Sequence, residues 1–239
     1  MRRLSFALLM TLLWASPALA QVTVVGSEGK DCGSITTCSP NSGIATQAGD
    51  FLVLTIVRRN DTGLTGVSDA TNGAWTCDAN LRHTGTGRLA AICYFQNSAS
   101  ATITPTVTIP DEDTTSIGYL VLREMSADGG IDDYATNANG DTTTHSHGEI
   151  TTASTAGAVV TVFSSTPTGG GWTTATNFVE LFSHDRAYMQ YRVSGAASLT
   201  TTASVTSVSN ASTGAVIASF FAAPASSGPR RGLLLGVGQ

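Results

Sequence analysis

Along Gly73–Ile109 apolar and polar positions alternate with a period of two. Trp75 and Cys77, and then Leu89, Ala91 and Cys93, each fall on one side of an extended chain. Between them lies His83-Thr-Gly-Thr-Gly87, whose glycines permit the positive φ that a hairpin needs. After a small-residue turn at Asn97–Ser100, Thr102, Thr104, Thr106 and Thr108 alternate with Ile103, Val107 and Ile109, one face wet and one dry. Two runs break the alternation. Phe51–Val57 and Ala158–Ser164 are nearly all apolar, which predicts central strands buried on both faces. Beyond the first twenty residues no stretch sustains a helical period of 3.6.

The pattern repeats in degenerate form. Gly73-Ala-Trp75-Thr is echoed by Gly170-Gly-Trp172-Thr, Tyr94 by Tyr191, Asn97–Ser100 by Ser194–Ala197, and Gly118-Tyr-Leu-Val by Gly214-Ala-Val-Ile, at offsets of 97, 97, 97 and 96. Gly49-Asp-Phe-Leu-Val resembles Gly157-Ala-Val-Val-Thr at an offset of 108. Landmarks in one order predict an internal pseudo-repeat of about 97 residues.

The elements expected between these landmarks are short. Gly26–Gly49 reads as a loop, Pro110–Thr115 as an acidic turn, and Asn137–Asp141 as another loop. Thr142–Thr152 reads as an edge strand, and Asn177–His184 with Ala187–Val193 as a hairpin around Asp185-Arg186. About a dozen strands with turn signals between them predict an all-β chain, folded as an antiparallel two-sheet sandwich or jelly roll over residues 21–223. Two tandem immunoglobulin-like domains, divided near Ala135–Asp141, are the competing arrangement. The absence of a proline-rich linker there favours one body.

The termini carry separate signals. Arg2-Arg3, the apolar run Leu4–Trp14 and Pro17-Ala-Leu-Ala20 together read as a secretory signal peptide over residues 1–20. Its apolar run is short for a membrane anchor. Residues 224–239 read as a small-residue linker and a basic-apolar tail, PRRGLLLGVGQ, whose plain reading is a disordered tail and whose sharper one is a segment that adds to a neighbour or docks on a partner and so forms an oligomer. Removing the signal takes the net charge from −5 to −7, because Arg2 and Arg3 leave and no acid does. An acidic body with one lysine, Lys30, argues against nucleic-acid partners. Export makes disulfides the default for Cys32, Cys38, Cys77 and Cys93. The pairing Cys32–Cys38 with Cys77–Cys93 is favoured, since Cys77 and Cys93 are equidistant from Gly85. Zinc is disfavoured by spacing and by the lack of a nearby histidine. The 36 threonines suit a hydroxyl-rich outer face.

The order Gly49-Asp-Phe-Leu-Val, Gly73-Ala-Trp-Thr, Tyr94 with Asn97–Ser100, and Gly118–Ser126 resembles exported or phage-associated modules of the concanavalin A-like, lectin-type jelly-roll group. The resemblance covers about residues 22–223. It implies a lectin-like sandwich with a binding or surface-structural role, and it contains no catalytic signature.

Candidate chemistry is sparse. Glycosidases of that fold place paired carboxylates at strand spacing, and no Glu-x-Asp-x-x-Glu occurs. Glu124 and Glu180 stand alone, the latter near Trp172. His145 and His147 share a strand face and could meet one metal, but the pattern fits polar residues on a wet edge better. His184-Asp185 has no serine in a nucleophile elbow. Asp111–Asp113, Asp128 with Asp132-Asp133, and Asn137–Asp141 are oxygen-rich enough for calcium but lack a calcium-loop spacing. Trp75, Trp172, Tyr94, Tyr188 and Tyr191 suit core packing more than a sugar platform. The expectation is therefore a non-enzymatic, secreted sandwich without catalytic residues, metal or cofactor, acting by binding or assembly at a cell or virion surface. A carbohydrate-binding module is the second reading, with glycans as partners. A lectin-fold glycoside hydrolase is the third.

Overall fold

The structure is a computed structural model that describes residues 21–61, 63–85, 87–126, 130–152, 156–166, 170–193 and 200–222. The expected signal peptide, the turn Ser194–Ala197, Asp128 and the tail 224–239 lie outside the described residues. The chain is all-β, and every strand pairing is antiparallel. Among the described residues the single helical element is a 3-10 turn at Ala79–Leu81.

The strands fall into two groups in sequence. The first comprises β1 (Thr23–Cys38), β2 (Ile44–Ala45), β3 (Phe51–Arg58), β4 (Gly66–Asp69), β5 (Gly73–Ala74), β6 (Arg82–Gly85), β7 (Arg88–Phe95), β8 (Thr102–Ile103) and β9 (Thr106–Arg123). The second comprises β10 (Ile131–Ser146), β11 (Ile150–Thr151), β12 (Ala156–Thr166), β13 (Val179–His184), β14 (Ala187–Val193), β15 (Thr200–Thr201) and β16 (Ser204–Phe221). Within the first sheet the strands run β1-β9-β3-β7-β6, with β4 and β5 added along the start of β9. The second sheet runs β10-β16-β12-β14-β13. Two small ladders, β2-β8 and β11-β15, flank them.

The apolar runs behave as their composition dictates. All eight residues of β3 are buried, between β9 and β7. β12 lies between β16 and β14, and Ala158–Ser164 are buried throughout. Such strands need cover on both faces, and three apolar layers provide it. Phe51, Val53, Leu120 and Leu122 of the first sheet meet Val160, Val162, Met189 and Phe220 of the second. The outer face of the first sheet buries Leu52, Leu54, Ile56 and Tyr119 beneath Trp75. That of the second buries Val159, Phe163, Tyr188 and Ile217 beneath Trp172. The sheets approach closely at Gly118, where a Cβ would stand 2.6 Å from Thr55 Oγ1 and 2.8 Å from Met189 Sδ.

Several expected loops are strand instead. Gly26–Cys38 belongs to β1, Pro110–Thr115 to β9 and Asn137–Asp141 to β10, so the suggested division at Ala135–Asp141 falls inside one strand. β1 and β10 are edge strands, and an edge tolerates glycine, bulges and polar side chains that a central strand does not. The β1–β9 ladder slips by one residue at Val25 and by another near Cys32-Gly33. Residues 109–112 of β9 then bulge out opposite Thr36 alone. The β10–β16 ladder slips at Asp132 and near Gly140-Asp141, and residues 207–210 bulge out opposite Thr143 alone.

Both disulfides form as favoured, Cys32–Cys38 with Cα atoms 5.9 Å apart and Cys77–Cys93 with Cα atoms 4.3 Å apart. The β6–β7 hairpin pairs Gly85 with Arg88 and Arg82 with Ala91. The 3-10 turn then takes up extra residues so that Thr76 pairs with Tyr94, which sets Cys77 opposite Cys93.

Candidate functional site

A pocket of about 230 Å³ opens where the chain leaves the first sheet for the second, lined by Gln47–Asp50 and Arg123–Met125. Gly49, at φ +94°, makes the turn that delivers Asp50 to the start of β3. The Asp50 carboxylate is buried and accepts from Gln47 N at 2.8 Å. Arg123, at the end of β9, donates to it from Nε and Nη2, both at 2.8 Å. This paired geometry holds the guanidinium in place while leaving it 32% exposed to the opening. The contact with Asp50 also raises the Arg123 pKa. Next in the chain, Glu124 is exposed and adopts φ 65°, a left-handed conformation uncommon for a side chain of this kind. Met125 then bridges to Ala222, and Ser126 N donates to Phe221 O at 3.0 Å, which ties the crossing strand to the second sheet. The pocket is smaller than a drug-sized cavity and suits one small polar group. Its polar side chains are Gln47, Asp50, Arg123 and Glu124.

The residues singled out from sequence are mostly occupied elsewhere. Trp75 is buried, and its Nε1 donates to Asp69 Oδ2 at 2.7 Å. Burial acts to raise the Asp69 carboxyl, but donors from Asn72, Trp75 and Thr71 outweigh it and hold the pKa below the ordinary value. Trp172 is also buried and donates to His184 O at 3.0 Å. Tyr188 is fully buried, donates to Thr174 Oγ1 at 2.6 Å, and has its pKa raised by burial to about 12. Tyr94 stacks on Phe51 at 5.7 Å, and Tyr191 packs against the layer between the sheets. Trp75, Trp172 and Tyr188 are thus closed off from solvent, and Tyr94 and Tyr191 are half-buried. Tyr134, which the sequence pattern did not single out, is 43% exposed on β10.

His145 and His147 share a face as their spacing requires, but the face is not wet. Both are fully buried, with their rings packed against Trp172 and Phe163 of the outer layer. His145 contacts Ser207 Oγ at 2.9 Å and Thr213 Oγ1 at 3.2 Å. His147 Nδ1 contacts Ala203 O at 2.9 Å, and its ring lies 3.9 Å from that of Phe163. Burial pushes the His147 pKa down to about 3. Folded His147 thus stays neutral where an unfolded histidine, near 6.5, takes up a proton. Above pH 6.5 it has no effect; as pH falls from there toward 3, stability declines by about 1.4 kcal/mol per unit. Urea unfolding at pH 6 and pH 5 should show this slope, and His147→Gln should reduce it by about one proton's worth.

The acidic runs also have structural partners. Asp111 Oδ1 lies 3.0 Å from Nη2 of Arg58, and Asp113 Oδ2 lies 3.7 Å from its Nε. Arg58 does not end the strand at the surface; it is fully buried. Asp133 accepts from Tyr134 N and Thr151 N, and the amides of Asn137 and Asn139 donate to Ser146 O. His184 Nε2 faces Asp31 Oδ2 at 3.7 Å, across the two sheets. Glu180 is exposed on β13 and does not line the pocket. Among the described residues no three His, Cys, Asp or Glu side chains gather to hold a metal.

The Asp50–Arg123 pair was missed from sequence. Its signal was an acid just before one apolar run and a base just after another, on strands that turn out to be neighbours. Comparison with family models, curated proteins and solved structures gave no match, so the site is read from its own chemistry.

Proposed function

We propose that this chain is an exported, non-enzymatic β-sandwich of two related halves that works by binding or assembly at a cell or virion surface. The observation that carries the reading is the distribution of chemistry. The buried histidines, the tryptophans and the Arg58 carboxylates serve packing, while the pocket displays hydrogen-bonding groups. Two disulfides and the absence, among the described residues, of an apolar helix long enough to cross a membrane are consistent with an extracellular protein.

Matching strand orders and matching ladder slips support the two related halves. Cross-strand rows refine the correspondence. Tyr94–Val53–Leu120 corresponds to Tyr191–Val160–Ala218, at offsets of 97, 107 and 98. Val53 thus answers to Val160, where the sequence offset of 108 would choose Thr161 and reverse the face. The lectin-type jelly roll is the less supported form. A jelly roll weaves its strands between two sheets, and here residues 23–123 complete one sheet before residues 131–221 build the other.

A carbohydrate ligand is the reading that the pocket favours, since amide, guanidinium and carboxylate groups together suit the hydroxyls of one sugar ring. A glycosidase needs two free carboxylates about 5–10 Å apart. Glu180 is not at the pocket and Asp50 is engaged by Arg123, so the pocket does not supply them. The test is retention of labelled protein on a glycan array and on intact cells, repeated with Arg123→Gln. We expect retention to drop about tenfold or more in the variant, the size of a lost charged hydrogen bond. Equal retention of both proteins, or none by the wild type, would remove the pocket from the account. Release of reducing sugar would make the protein an enzyme.

A further inference from the structure

The space between the sheets has a second polar end, away from Asp50. Side chains on the inner faces alternate with the apolar layer, so Arg88 follows from Ala90 and Ile92, while Ser164 and Thr166 follow from Val160 and Val162. His83 pairs with Ala90, and its ring lies against Gly214 of the opposite sheet. Here Arg88 and His83 of the first sheet face the hydroxyls of Ser164 and Thr166 of the second.

Arg88 is its unusual member. It is 5% exposed, its Nε donates to Thr166 Oγ1, and its Nη1 is buried without a hydrogen-bond partner. Among the described residues no carboxylate stands within ion-pair distance of it. Two other arginines act on it through their charge, Arg186 and Arg59. Arg59 follows Arg58, the last β3 residue paired with β7, and Arg186 lies in the β13–β14 turn, where Ser165 N donates to its carbonyl at 3.0 Å. Burial first, and then Arg186 and Arg59, depress the Arg88 pKa to about 10, with Asp113 acting weakly the other way. The His83 ring adds a buried Nε2 that also lacks a partner, and burial lowers its pKa. Leaving a guanidinium buried and unpaired is strongly unfavourable unless something anionic completes it. Meanwhile Asp111 and Asp113 are committed to Arg58.

We propose that this polar end is a binding site for one small oxyanion, a sulfate, phosphate or carboxylate group, held by Arg88 with Arg59 and Arg186 at the rim and His83 and Thr166 as its walls. A planar guanidinium matches two oxygens of such a group, which is why arginine serves at sites of this kind. Arg59 is exposed and Arg186 half-exposed, so the rim meets solvent. The anion is either free or carried on a sugar, and the chemistry recognised is the same.

The test uses the full exported chain at fixed ionic strength. Sodium sulfate, sodium phosphate and a monosulfated hexose are each titrated by calorimetry against a sodium chloride blank. We expect saturable binding of one anion per chain, and the hexose arm separates sugar-borne from free sulfate. Arg88→Met should weaken binding about tenfold or more, as loss of a charged hydrogen bond does. Without anion it should unfold at the same temperature as the wild type or higher, since an unpaired buried charge is gone. Arg186→Gln, at an accessible turn, should weaken binding less and keeps the test usable if Arg88→Met does not fold. Absence of saturable binding by the wild type overturns the proposal. So does undiminished binding by the variants, or a rise in unfolding temperature with sulfate that is equal in all of them, which is general salt exclusion.

Discussion

Phe220→Ala should destabilise the protein by about 3–5 kcal/mol, the range for removing a buried aromatic ring. Phe220 lies on β16 with no exposed surface, and its ring centroid stands 5.1 Å from that of Phe51 and 5.5 Å from that of Tyr94. Those partners belong to the other sheet, so the substitution opens a void in the layer that joins the sheets. Neither neighbour can easily fill it, because Phe51 is fixed in the all-buried β3 and Tyr94 in the β7 ladder. Denaturant unfolding would measure the effect. A loss under about 1 kcal/mol would mean that the sheets do not meet at this ring. Phe220→Leu should recover most of the stability, since it leaves less of the void.

Removing the Cys77–Cys93 bridge as Cys77→Ala with Cys93→Ala should cost about 3 kcal/mol, from the chain entropy released by a loop of 16 residues. The same change at Cys32–Cys38, which closes 6 residues, should cost about 2 kcal/mol. The order follows from loop length, since each bridge joins one buried cysteine, Cys93 or Cys38, to a partly buried one, Cys77 or Cys32. Thermal melts of the two double variants would rank them. A larger loss at Cys32–Cys38 would place the weak point of the fold at the β1 edge.

Much of the architecture was legible because strand burial leaves a direct mark on composition. Phe51–Val57 and Ala158–Ser164 announced central strands, and the Cys77–Cys93 pairing was anticipated, although the hairpin turns beyond Gly85 and the 3-10 turn restores the match. The edge strands were not legible. Gly26, Gly29, Gly33 and Gly140 are loop-like residues in sequence, yet β1 and β10 accommodate them, Gly26 and Gly29 within the ladder and Gly33 and Gly140 at its slips, because each strand is paired on one side. The bulges at 109–112 and 207–210 split β9 and β16 into apparent pairs of short strands. His145 and His147 looked wet because their alternation with Thr and Ser is polar on both faces, and only the packing of their rings on Trp172 and Phe163 shows that one face is closed. Site residues were hardest. Asp50 with Arg123, and Arg88 with Thr166, are far apart in the chain and meet only through the fold.

The segregation of the sheets along the chain has a consequence for how the molecule is made. A ribosome or an export channel releases the N-terminal end first, and residues 23–123 contain every strand of their own sheet. That sheet can therefore close while the remainder is still threading. Until β12 and the strands after it emerge, Phe51, Val53 and Leu120 face water with nothing to cover them. The newborn chain passes through an interval of stickiness that the finished one never shows, and a holdase that shields greasy β-surfaces would matter most then.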